Sequence, residues 1–390
     1  MSNAAPLLAK FEIAGRRSAV AGSRAYDVRI VRDAASADLW AIWAELERQG
    51  DCTVFQSRQF LRPLLQIVGS KRNAELHLCV VFDAIGPLLG LPFVVRRSRT
   101  ASLIEIADFG LSDYCAPVMA RRFDPCDAAA WAAIWATLAG QLPKADGISL
   151  EKMPALVAGR MNPFLHLTGV RPMLRETRQV AVDPVWLSTS VAKEAFAKRR
   201  KLERAGGSRF VIVDDPALID HHLDLMRALR RRRFEAQGIQ DSLDETGAFE
   251  FYRTLLHEGC ADGGAVLGVV TFDGQPIAMS AALVHRGRFN GVLTAMDEKR
   301  ASFSPGLVSM VGLFEWCLKQ GVSVFDMGFG DQHYKSRFGG ERSMLHEWSQ
   351  ARSLRGAVWK LERDARSAAR RALRRYPALE RLRGRGGKSG

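Results

Sequence analysis

The sequence predicts a mixed α/β (α+β) protein made of two tandem mixed-sheet units flanked by helices, followed by a basic helical tail. Three observations predict it. Residues 289–327 read as strand, helix and returning strand, which is a crossover. A helix pair, an apolar hairpin, a helix and a short strand occur in that order twice. The charge is also segregated. The chain carries a net +14, but residues 352–390 hold thirteen Lys/Arg against three Asp/Glu, so +10 lies in the tail and +4 in the first 351 residues.

In chain order, residues 1–25 form a weakly ordered lead-in and Tyr26–Ile30 a first strand. Ala35–Gly50 is an amphipathic helix burying Leu39, Ile42, Trp43 and Leu46, and Gln59–Val68 is a second helix. Glu75–Phe82 and Leu88–Val95 are strands across a turn, followed by Leu103–Ile106, a helix over Cys126–Leu142 and a strand at Gly147–Leu150. The join between units is expected near Thr177–Pro184, which divides the chain into 26–180 and 181–351; the alternative is a single large α/β domain.

The second unit opens with the basic helix Ser190–Arg204, the strand Arg209–Val213, and helices over Ala217–Gln237 and Gly247–Gly259. Ala265–Phe272 and Pro276–His285 flank Asp273-Gly274, a strong hairpin signal. Phe289–Met296 is the next strand, and Asp297–Phe303 a polar loop. Ser304-Pro305-Gly306 starts a helix, with Ser as N-cap and Pro preorganised for the first turn. Val322–Met327 returns as a strand. A polar, hairpin-like segment follows to Phe338, and Ser343–Gln350 is the last strand. The tail from Leu354 to about Tyr376 is a basic helix and ends in a Gly/Lys/Arg-rich run, 352–390 in all.

An apolar fraction of 47% supports a packed core, and no run of eighteen apolar residues predicts a membrane span. The N-terminus lacks the order of a signal peptide. The six cysteines show no paired or metal-site spacing, so reduced thiols, no metal and a cytoplasmic setting are expected. With the charge confined to the tail, specific nucleic-acid binding by the body is not expected. The tail is either a solvated, partly disordered extension or an electrostatic attachment to anionic lipid, as a peripheral membrane contact, or to nucleic acid.

A helix start with bare N–H groups after a strand is a phosphate site or simply a capped helix. Asp326 ends an apolar strand, where partial burial raises a carboxyl pKa. It is the first candidate base, or a structural cap on the Gly328–Gly330 turn. Lys335 is a candidate to stabilise an anionic intermediate or hold a phosphate, or else a surface lysine, and Tyr334 is either a general acid or an apolar lid. His285 and His333 are either reserve bases or structural hydrogen-bonders. Arg230–Arg233 and Gln237 form either a solvated basic face or, through Arg233 or Gln237, an acceptor contact; Asp331 and His333 are further substrate candidates. Asp108, Asp113 and Tyr114 follow a strand in the first unit and are candidates to line a groove between the units.

The run Phe303–Leu307 (FSPGL) resembles the pyrophosphate-binding helix start of GNAT acyltransferases. Phe325–Phe338 (FDMGFGDQHYKSRF) resembles the D-x-G-x-G-x-x-x-Y-K-x-x-F signature of CelD/BcsL-type GNAT acetyltransferases, associated with cellulose or exopolysaccharide biosynthesis. These are similar in turn to the Fem peptidoglycan ligases, which have two GNAT-like halves. The resemblance covers residues 195–341 well and 43–153 loosely; the usual Q/R-x-x-G-x-G/A loop is absent. It implies that each unit is GNAT-like and that acetyl-CoA or another acyl-CoA is the co-substrate. The donor would lie along Leu293, Thr294 and Ala295, with its pyrophosphate on Ser304, Pro305, Gly306, Leu307 and Val308. It also implies transfer to an amine or hydroxyl of a sugar or envelope-polysaccharide precursor, with Lys335 near the reacting carbonyl. The alternatives are a Fem-like aminoacyltransferase using aminoacyl-tRNA and a non-catalytic GNAT-like binding module.

Overall fold

The computed structural model describes residues 19–21, 24–330 and 333–375. Fifteen strands join in one mixed sheet. The first half contributes β1 (Arg24–Val31), β2 (Glu75–Phe82), β3 (Pro87–Arg97), β4 (Ser102–Ile106), β5 (Gly147–Pro154) and β6 (Arg171–Ala181). The second contributes β7 (Arg209–Val213), β8 (Ala265–Phe272), β9 (Gln275–His285), β10 (Arg288–Met296), β11 (Val324–Phe329) and β12 (Glu341–Ala351). The helices are α1 (Ala37–Gln49), α2 (Arg58–Pro63), α3 (Ala128–Gln141), α4 (Ser190–Gly206), α5 (Pro216–Ala236), α6 (Ala248–Asp262), α7 (Pro305–Lys319), α8 (His333–Phe338) and α9 (Leu354–Arg375).

One plan is used twice. A strand and two helices lead into a hairpin (β2–β3, β8–β9). A third strand then passes through a helix to a parallel return (β4–α3–β5, β10–α7–β11). The β8–β9 turn holds Asp273 at φ 50° and Gly274 at φ 70°, between the paired Phe272 and Gln275. Positive φ at both loop residues matches the twist of the flanking strands.

The halves are joined by an exchange. β6, at the end of the first half, pairs with β11 of the second, and β12, at the end of the second, pairs with β5 of the first. β6 and β12 also pair antiparallel with each other. The sheet therefore runs without a break in the order β1-β2-β3-β4-β5-β12-β6-β11-β10-β9-β8-β7. The expected join at Thr177–Pro184 falls partly inside β6, in the middle of this sheet. The strand was hidden because its sequence, RPMLRETRQVA, has no apolar face; only Thr177 and Val180 are buried. The largest apolar core likewise draws on both halves, from Trp43, Phe60 and Phe93 to Phe251, Leu267 and Leu345.

Three local expectations are corrected. Residues 298–303 are a 3-10 helix rather than a loop. The polar segment after β11 contains α8, held by Phe338, whose ring stacks 5.0 Å from Trp186 and whose carbonyl accepts the Trp186 Nε1–H at 3.0 Å. Within the lead-in, Ala19–Ala21 pairs with β1; residues 1–18 and the tail beyond 375 lie outside the described residues. Helix α9 packs against β12, with Gly356 seated on the carbonyl of Asp146, where a Cβ has no room. Among the described residues, no helix is long and apolar enough to cross a membrane.

Candidate active site

The parallel strands β10 and β11 stay together for only three residues each, Arg288–Asn290 against Val324–Asp326. At this closed end the Phe289 and Phe325 rings stack at 4.2 Å and 8°. Both strands then become irregular. In β10, Gly291 faces Ala282 and Leu293 faces Ala281, leaving Val292 as an extra residue. In β11, the register against β6 shifts between Asp326 and Phe329. A bulge bends its strand and increases local twist, so the two strands diverge where these irregularities lie. Past the divergence is a cavity of about 360 Å³. Thr294, Ala295 and Met296 of β10 line it, with Gly306, Leu307 and Met310 of α7, and Arg233 and Arg337 supply cations to its wall.

Of the residues expected to hold a cofactor, Thr294, Ala295, Gly306 and Leu307 therefore share this cavity. Leu293 and Val308 are buried in the core, 2% and 3% exposed, and Pro305 is buried in the first turn of α7. Ser304 is not the expected cap. It sits in the left-handed region at φ 50°, ending the preceding 3-10 turn, and its side chain accepts no amide of α7. Its carbonyl instead takes the amides of Leu307 at 3.0 Å and Val308 at 3.2 Å. The Gly306 amide is left without a backbone acceptor among the described residues, and a Cβ there would meet only Met296 Sδ, at 3.4 Å. The approach to the helix start is open.

Asp326 is fully buried, beyond the partial burial expected. Tyr114, from the first half, donates its hydroxyl to Asp326 Oδ2 at 2.6 Å, and Gln179 of β6 donates Nε2 to the same oxygen at 3.1 Å. The Gly328 amide donates to Oδ1 at 2.9 Å, and Arg288 stands 3.7 Å away. Burial raises the Asp326 pKa, opposed by the Tyr114 and Gly328 donors and by the charges of Arg288 and Lys335. Asp113 accepts the Phe329 amide and is likewise pushed up by burial and, less strongly, by Asp326. Gly328 is at φ 75°, and a Cβ there would collide with Asp113 and stand 2.9 Å from the Gly291 carbonyl, so the turn requires glycine.

Lys335 is 3% exposed and so is not a surface lysine. Its ammonium donates to the carbonyls of Gly328 at 3.0 Å and Phe329 at 2.9 Å, bracing the turn from below. The first-half residues expected to line a groove between the units are instead engaged in contacts within the protein, and neither Asp113 nor Tyr114 lines the cavity beside α7. Tyr114 reaches Asp326, Asp113 stands against Gly328, and Asp108 accepts from Lys152 Nζ at 2.7 Å.

The other candidates disperse. His285 faces away from this group: its Nε2 lies 3.6 Å from Cys52 Sγ, and Glu47 completes a trio whose donor atoms lie within 4.8 Å of one another. Burial and Arg286 push its pKa down to about 4, which leaves it neutral at ordinary pH. In the basic run, Arg230 forms a buried pair with Asp241 at 2.6 Å and donates to the Thr294 carbonyl at 3.0 Å, while Arg231 pairs with Asp244. Gln237 is exposed at the C-terminal cap of α5, outside the cavity. His333 and Tyr334 open α8, and Asp331 lies outside the described residues. Sequence reasoning missed Gln179, Arg288 and Lys152. No spacing links Gln179 to a partner 147 positions away.

Residues 190–336 match the family model of the acetyltransferase (GNAT) domain. This segment is similar to GNAT acetyltransferase domains. Among curated protein sequences, none matches the chain. Among solved structures, FemX superposes with a TM-score of 0.54 at 11% identity, covering 83% of this chain and 98% of FemX. L-PGS from Bacillus licheniformis gives 0.53 at 15% identity, covering 86% and 98%. The C-terminal domain of a candidate lysylphosphatidylglycerol synthetase from Agrobacterium fabrum gives 0.52 at 13% identity, covering 84% and 95%. At these identities the likeness is one of fold, and it extends over both halves.

Proposed function

We propose that the protein is an acyl-CoA-dependent N- or O-acyltransferase of the CelD/BcsL type, moving an acetyl or longer acyl group to a sugar or envelope-polysaccharide precursor. The observation that carries this reading is the divergence of β10 and β11 into a cavity that meets the open start of α7. A pantetheine arm would add to the free side of β10. The first turn of α7, with its bare Gly306 amide and positive dipole end, would receive the pyrophosphate, and Arg233 and Arg337 would supplement that single amide.

An attacking ammonium has a pKa of about 10 and must lose a proton. Asp326, made more basic by burial, serves as the base, with the Tyr114 phenol as its first proton partner. Lys335 keeps the Gly328–Gly330 turn in place beside it, and Tyr334 is the candidate acid for the departing thiolate. The test is calorimetric titration with acetyl-CoA and longer acyl-CoAs. Saturable binding lost on filling the Gly306 approach is expected; no binding at millimolar ligand removes this reading.

A second reading has a specific observation in its favour. The solved structures named above include one named for lysylphosphatidylglycerol synthesis, so an aminoacyl donor is the rival. It predicts transfer from aminoacyl-tRNA without affinity for CoA.

A further inference from the structure

A second cavity, of about 570 Å³, lies between α9 and the strands β5, β6 and β11. Six cations line it: Lys152, Arg175, Arg363, Arg366, Arg370 and Arg371. Its two carboxylates are already engaged, Glu347 by Arg171 and Arg363, and Glu151 by Arg363. Lys152 is held by Asp108, and Arg366 by Glu362. Arg175, Arg370 and Arg371 have no carboxylate within ion-pair distance among the described residues. Arg175 and Arg370 are exposed and Arg371 is half-buried, so the three guanidiniums give the open cavity a positive potential that attracts an anion and that salt screens.

The cavity is tied to the candidate active site through Phe329. That ring lines the cavity, with Lys152 Nζ 5.9 Å and Arg175 Cζ 5.6 Å from its centroid. The same residue's carbonyl accepts from Lys335 and its amide donates to Asp113.

We infer that this cavity binds the phosphate-bearing end of the acyl acceptor, and that the acceptor is a small organic diphosphate. The word acceptor rests on the acyltransferase reading; the anion site does not. A monocarboxylate would balance one of the three charges without a carboxylate partner, whereas a diphosphate brings about two to three negative charges. Guanidinium forks also match phosphate oxygens bidentately. The volume falls in the small-ligand range of roughly 300–1,000 Å³, and Phe329 offers an apolar face beside the charges.

The experiment is calorimetric titration of the full chain, at low salt and without acyl-CoA, using inorganic pyrophosphate and uridine diphosphate as probes. Expected are sub-millimolar binding of both and weakening as salt rises. Arg370→Ala/Arg371→Ala should lose tenfold or more in affinity, while its acetyl-CoA titration stays unchanged. Arg355→Ala removes a charge from α9 outside the cavity and should bind as the parent does. No heat with either probe at millimolar concentration overturns the inference, as does an affinity unchanged in the double variant. RNA that outcompetes both probes and loses affinity in the same variant also overturns it, in favour of a nucleic-acid surface. If the probes bind as expected but acetyl-CoA does not, the donor reading fails and the anion site stands.

Discussion

The hydroxyl of Tyr114 donates to the carboxylate of Asp326 at 2.6 Å across the boundary between the two halves. The phenol opposes the effect of burial on that carboxyl, so the two halves jointly set its proton affinity. Tyr114→Phe should raise the Asp326 pKa and move the acidic limb of kcat/KM to higher pH. Asp326→Asn should lower kcat by about 10²–10⁴ with little change in KM for acyl-CoA. A pH–rate profile identical in Tyr114→Phe and the parent would sever Tyr114 from the chemistry. Stability has its own sign. Asp326 has a folded pKa above the unfolded value of about 3.9. Its contribution is therefore full below that value and lost as pH rises through the folded pKa.

Lys335→Met keeps much of the side-chain volume but leaves the carbonyls of Gly328 and Phe329 without the ammonium. A loss of about 1–3 kcal/mol in urea unfolding is expected, from unsatisfied buried groups. Activity should fall with it. Unchanged stability would place the ammonium in solvent.

Gly306→Asp separates donor binding from folding. The position has room for a side chain, and an acidic residue in the first turn of α7 suits the helix dipole. Thermal stability should hold or rise slightly, while acetyl-CoA affinity falls at least tenfold by repulsion of phosphate. Equal affinity in the variant would move the pyrophosphate elsewhere.

Arg230→Ala strands the buried Asp241 and frees the Thr294 carbonyl. A destabilisation of about 3–5 kcal/mol is expected, because the remaining charge stays buried. Denaturant unfolding measures it, and a value within 0.5 kcal/mol of the parent would show the pair to be solvated.

His285 has a folded pKa lowered to about 4. Its stabilising contribution is full above the unfolded value of about 6.5 and is lost as pH falls toward 4. His285→Gln should flatten that part of the curve of melting temperature against pH. NMR titration of the ring giving a midpoint near 6.5 would contradict the placement against Cys52.

Local pattern was enough for much of the fold. Glu75–Phe82, Ala265–Phe272 and Arg209–Val213 were readable residue by residue, because apolar β-branched runs end at turn residues. β6 was not, since a strand central to the sheet but polar on both sides carries no periodic signal. The same division holds for the site. The resemblance to GNAT acyltransferases implied a donor path along Thr294, Ala295, Gly306 and Leu307, and these four line one cavity. Ser304 failed as a cap because its backbone is spent ending the 3-10 turn. The Asp326 cluster is assembled from Tyr114, 212 positions away, and from Gln179 on the unseen strand. Such contacts are set by topology and leave no mark in spacing.

Because β6 and β12 each complete the other half's sheet, the chain cannot be divided into transplantable modules. A cut after Ala181 gives one fragment without β12 and another without β6, each ending in a raw, adhesive margin. Swapping either half with that of a relative would have to carry its exchanged strand along and keep the mutual register of the two. The pair is therefore constrained to be inherited, and to diverge, as one piece.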